Sequence, residues 1–127
     1  MSDSPGQQYF NQHVGFLMSN DLDSMISTQY ADNAILISPF DVLDTPPPNI
    51  VQGHAKLKDF FRKWLDYHGP SNYESLYDFA ETEDSISFHA IMNSQTGKWM
   101  LGEAWHIVGG FPNGKIDRHY GFAYKIS

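Results

Sequence analysis

From Asn72 onward, apolar residues stop recurring every third or fourth position and begin to alternate. "NYESLYDFAE", "SISFHAIMN", "GKWMLGEAWHIV" and "GKIDRHYGFAYKI" read as four strands, separated by "TED", "SQTG" and "GGFPNG". Turns that short require antiparallel neighbours. The second half of the chain is therefore predicted to be a meander, and its apolar face needs a cover.

The first half supplies helices. Ser4 and Pro5 form an N-cap and a first helical residue. Phe10, Val14 and Leu17 follow on one stripe, with His13 beside it. "SNDLDSMISTQYADNA" predicts a second, shorter helix capped by Asn20 or Asp21, with Leu22, Met25, Ile26 and Tyr30 on one face. "AILISPF" reads as a strand stopped by Pro39, and Asp41–Gln52 as a loop stiffened by three prolines. In "HAKLKDFFRKWLDYHGP", Leu57, Phe60, Phe61, Trp64 and Leu65 take helical spacing, ended by Gly69 and Pro70. The order predicts an α+β fold, with helices on one face of a curved sheet.

At 127 residues the chain suits one domain, residues 1–127. The hydrophobic share of 41% supports a packed core rather than disorder. A net charge of −7 repels phosphate backbones, so nucleic acid is not an expected partner. No Lys/Arg cluster and no long apolar run point to a membrane. With no cysteine, thiolate chemistry and Cys-based metal sites are excluded. The N-terminus lacks the basic and apolar regions of a signal peptide, and the cytoplasm is the expected location.

The turns give an expected register. Ser94–Gly97 as a hairpin loop sets Met92 opposite Trp99, Ala90 opposite Leu101, Phe88 opposite Glu103 and Ile86 opposite Trp105. Opposed residues share a face. With Val108 opposite Lys115, continued pairing sets His106 opposite Asp117, Ala104 opposite His119 and Gly102 opposite Gly121. One face is then bulky and aromatic. Left bare it would be too large for water, so a homodimer through Phe88, Trp99, Trp105, Tyr120 and Phe122 is expected, with Glu103 paired at that interface. The other face is small and polar, and suits a ligand pocket.

The residues also resemble a known superfamily. "NDLDSMISTQYADNAILISP", "VQGHAKLKDFF" and "NGKIDRHY" look like parts of the NTF2-like fold, nearest the SnoaL-like branch that includes polyketide cyclases. Ketosteroid isomerase and limonene epoxide hydrolase share that fold. The resemblance implies a cone in which three N-terminal helices pack on a curved, mainly antiparallel sheet around a cavity. It sets the isomerase's base Asp at Ser38, its oxyanion Tyr at His13 and its protonated Asp at Ala104, so the isomerase set is absent. The cyclase Asp on the last strand matches Gly121 by position, with Asp117 four residues earlier. No Asp-Arg-Asp set for epoxide hydrolysis stands out.

His106 oriented by Asp117 is the expected catalytic pair, with His119 as a second acid–base group. The bland alternative is a structural cross-strand pair beside a satisfied core histidine. His13, His89, Phe60, Phe61, Trp64, Met100 and Gly121 are expected to line the pocket. His89, His106, His119 and Asp117 could in principle hold a metal, but no HxH or HExxH spacing occurs, so no metal or cofactor is expected. "DVLDTPPPN" reads as a lid over the pocket or as a rigid connector. Two functions follow: a cofactor-independent acid–base enzyme (isomerase, dehydratase, cyclase or epoxide hydrolase) acting on a hydrophobic oxygenated molecule, or a non-catalytic ligand-binding or dimeric scaffold protein.

Overall fold

A computed structural model describes residues 3–39 and 49–127. Two helices, α1 (Pro5–Met18) and α2 (Leu22–Gln29), precede strand β1 (Tyr30–Ser38). Then come β2 (Asn49–Gln52), α3 (His54–His68), β3 (Asn72–Glu81), β4 (Ser85–Ser94), β5 (Gly97–Val108) and β6 (Lys115–Lys125). The Ser4 hydroxyl accepts from the Gln7 amide and caps α1, while Asp21 accepts from Ser24 and caps α2. The third helix follows two strands, so the helices are not all N-terminal. Asn49–Gln52, expected as loop, pairs antiparallel with Ile35–Ser38. The proline-rich stretch read as a lid lies outside the described residues at positions 41–48.

The strands form one mixed sheet in the order β2-β1-β6-β5-β4-β3. Among the described residues only β1 and β6 pair parallel. No helix is long and apolar enough to cross a membrane among the described residues.

The β4–β5 register is the one expected from its turn. The β5–β6 register starts as expected, with Val108 opposite Lys115. It then shifts by one residue between Ile107 and His106, so Asp117 is the extra residue of a bulge. Beyond it His106 faces Arg118, Trp105 faces His119, Glu103 faces Gly121 and Leu101 faces Ala123. Every later side chain of β6 lies on the face opposite to the one expected.

The bulky face of β4 and β5 is the core. Phe88, Trp99, Leu101, Trp105 and Ile107 are buried with Phe10 and Leu17 of α1, Met25 and Ile26 of α2, and Leu57, Phe60 and Phe61 of α3. This corrects the assignment of Phe88, Trp99 and Trp105 to a dimer surface. Three helices each carry an apolar stripe, and the aromatic face is the one large enough to bury all three. Tyr120 and Phe122 are exposed, on the outer face.

Candidate active site

Between the sheet and helices α1 and α3 lies a cavity lined by apolar side chains that include Phe10, Leu36, Phe60, Phe61 and Trp64. Its open volume is about 40 Å³, room for a few waters. Among those walls stand His13 from α1, Glu103 from β5, His119 from β6 and Tyr73 from β3.

Glu103 and His119 come together because of the bulge. Glu103 lies opposite Gly121, and a Cβ at Gly121 would sit 3.3 Å from the Glu103 Cγ. Glycine leaves the carboxylate its space. Nε2 of His119 donates to Glu103 Oε1 at 2.6 Å, and the Trp105 indole donates to the same oxygen at 2.9 Å. Oε2 makes no hydrogen bond with the described residues. On the other side of the ring, Nδ1 of His119 lies 2.7 Å from the Tyr30 hydroxyl. The hydroxyl donates when the ring is neutral and accepts when the ring is charged.

The electrostatics follow from burial and pairing. Burial pushes the Glu103 carboxyl up, but the His119 charge, the His119 and Trp105 hydrogen bonds and the field of His13 outweigh it, so its net pKa lies below the ordinary value. Tyr30 is held well above 10 by burial first, then by Glu103 and Tyr9. Tyr73 is raised by burial and then by Glu103, so its hydroxyl stays protonated. His13 is pushed down to about 4, chiefly by burial and further by His119, with Glu103 and Gln29 pulling weakly the other way.

Of the residues expected at the site, His13, His119, Phe60, Phe61, Trp64 and Gly121 line the cavity. The others do not. His106 and Asp117 do pair, at 2.6 Å, but on the outer face at the hairpin end, where Asp84 also lies 3.5 Å from the imidazole. The His106 side chain is 47% exposed there. The Asp117 hydrogen bond raises its pKa, burial opposes weakly, and the charges of Asp117 and Asp84 add to the rise. His89 is exposed on the outer face beside Asp78, and Met100 is half-buried on that face. Both belong to alternate positions that point away from the helices. Among the described residues no three His, Asp or Glu side chains converge as metal ligands.

Sequence reasoning missed Glu103, Tyr73 and Tyr30 as site residues. A signal for Glu103 was present: it is the one acid in the stripe Trp99, Leu101, Glu103, Trp105, Ile107, and a carboxylate in such a stripe needs a partner.

No protein-family model matches the chain, and no curated protein matches it in sequence. Solved structures match throughout its length. An NTF2-like protein from Anabaena variabilis superposes with a TM-score of 0.74 at 11% identity, covering 99% of this chain and 96% of that one. The chain has the NTF2-like fold. A SnoaL-like protein from Burkholderia thailandensis gives a TM-score of 0.70 at 19% identity, covering 100% of this chain and 99% of the other. TerC, co-crystallised with polyporic acid, gives 0.68 at 15% identity, over 93% of this chain and 90% of that one. Within this fold Ala104, the position matched to the isomerase's protonated Asp, is exposed, and its neighbour Glu103 is the inward carboxylate. Ser38, the position matched to the base, lines the cavity as a serine.

Proposed function

We propose that the protein is a small-molecule enzyme that performs cofactor-independent acid–base chemistry on a hydrophobic oxygenated substrate, with Glu103 as the base. The observation that carries this reading is the open Oε2 of a half-buried carboxylate whose other oxygen is fixed by His119 and Trp105. Glu103 takes a proton from the substrate through Oε2. His119 is a positioning residue: it orients the carboxylate and moderates its charge, and Tyr30 holds the ring from behind. The Tyr73 hydroxyl can donate to oxygen that gains charge as the proton leaves. The crystal of TerC with polyporic acid supports small-molecule binding by this fold.

The test is deuterium uptake from heavy water into the α-carbon of 2-hydroxyacetophenone, an apolar ring bearing an enolisable carbon. The wild type should exceed the solvent rate, and Glu103→Gln should lower the excess by roughly 10²–10⁴-fold. Equal exchange in the variant overturns the role of Glu103. The second reading is a carrier, favoured by the small open volume and by a His119 ring with both nitrogens engaged. Tight binding with no exchange in the wild type supports the carrier.

We infer further that two copies associate through the outer face of the sheet. Exposed Tyr120, Phe122 and Tyr124 lie there in a row, with the Phe122 and Tyr124 rings stacked at 6.0 Å. A monomeric mass in solution overturns that assignment.

A further inference from the structure

The resemblance placed His13 where a related enzyme has a donor to an oxyanion. The hydrogen bonds around it assign the opposite role. Gln29, the last residue of α2, is buried against α1, and its amide Nε2 donates to the backbone carbonyl of Tyr9 at 3.0 Å. A carbonyl oxygen can only accept, so the amide cannot be turned round without setting oxygen against oxygen. Gln29 Oε1 therefore faces Nδ1 of His13, at 3.0 Å. An amide oxygen also only accepts, so Nδ1 carries the proton. His13 is buried and lines the cavity, and in the neutral ring Nε2 is a bare lone pair. Burial keeps the ring neutral at ordinary pH.

The second open polar atom is Oε2 of Glu103, also an acceptor. The Trp105 N–H is already engaged by Oε1. The Tyr73 hydroxyl can donate or accept, so it does not set the polarity of the cavity.

We infer that the cavity selects ligands whose polar group donates a hydrogen bond, a hydroxyl on an apolar body, and rejects carboxylates. The inference rests on the reading of Glu103 as the open base and narrows the substrate to hydroxyl-bearing molecules. An acceptor-only ligand leaves Nε2 of His13 and Oε2 of Glu103 without their lost water, and a carboxylate faces a carboxylate.

Three probes of similar size separate the cases at neutral pH: benzyl alcohol, benzaldehyde and benzoate, titrated into the full chain and followed by NMR. Benzyl alcohol should bind roughly tenfold more tightly than either of the others. It should move the side-chain signals of His13 and Glu103. In His13→Leu the preference over benzaldehyde should shrink several-fold. In Glu103→Gln, whose amide can donate, benzoate should gain. The free wild type should show a protonated Nδ1 and a bare Nε2 in the ¹⁵N spectrum of His13, a readout that needs no variant to fold. Benzaldehyde or benzoate binding as well as the alcohol overturns the inference, as does absence of binding by all three, or a proton on Nε2. Selectivity without deuterium exchange leaves the inference standing and removes the enzyme reading. Exchange without selectivity does the reverse.

Discussion

Side chains that burial keeps neutral and one that stays charged line the same cavity. Burial works against the charge of Glu103, yet its pairing with His119 and the Trp105 hydrogen bond keep the carboxylate ionised. His13 goes the other way and stays neutral. That difference has a consequence for stability. The unfolded histidine titrates near ~6.5, and the folded one near about 4. Between those values the unfolded state binds a proton that the folded state refuses, so stability falls as pH falls through the window. The loss from His13 alone reaches roughly 3 kcal/mol by pH 4. Urea unfolding at pH 7 and at pH 4.5 should show a clear drop in the midpoint, smaller in His13→Gln. A wild type whose midpoint is flat across that interval contradicts the burial of a neutral His13. The residue types at the site were legible in part. His13 and His119 stood out as histidines near apolar stripes. Tyr30 read only as part of the apolar face of α2, because nothing in a sequence shows that a tyrosine hydroxyl reaches an imidazole 89 positions away.

At the scale of elements, the sequence was clearest where pattern and punctuation agree. Leu57, Phe60 and Phe61 fall on the buried stripe of α3, and Gly69 ends that helix with φ 64°. The β4–β5 ladder followed from its turn alone. The β5–β6 ladder did not, because one bulged residue moves every later side chain across the sheet. Ile116, Arg118, Tyr120, Phe122 and Tyr124 alternate well enough to look like one continuous face. The bulge breaks that run after Ile116, which is buried, while Tyr120, Phe122 and Tyr124 are exposed. The same outer face shows a local device: the Phe122 ring lies against Gly102 across the ladder, in space that a Cβ would occupy. Strand β2 was hidden for another reason. Four residues after a proline run give too short a pattern to separate from a loop.

At the scale of the whole molecule, α+β order and a cavity between helices and sheet could be read from the chain, but which face of the sheet looks inward could not. The sequence pattern set the small, polar face inward and the bulky face outward, the reverse of what is found. Packing decides between them, since three helical stripes need the larger apolar area, and packing is not a property of any one segment. The inversion leaves Tyr120, Phe122 and Tyr124 in water on a single chain. Light scattering at micromolar concentration should therefore give twice the 14.5 kDa chain mass, and a Tyr120→Glu, Phe122→Glu double variant should give the single mass.

The central claim is that the bulge at Asp117 divides two histidine–carboxylate pairs, one on the helix-covered face of the sheet and one on its outer face. Side-chain NMR of the histidines in wild type, Glu103→Gln and Asp117→Asn tests it most directly. The His119 signals should move with Glu103→Gln and hold still with Asp117→Asn. The His106 titration should lie above its ordinary value, fall in Asp117→Asn and ignore Glu103→Gln. If His119 and His106 instead both respond to Asp117→Asn, and neither responds to Glu103→Gln, the ladder runs unbroken, and the inner dyad with all the chemistry built on it is wrong.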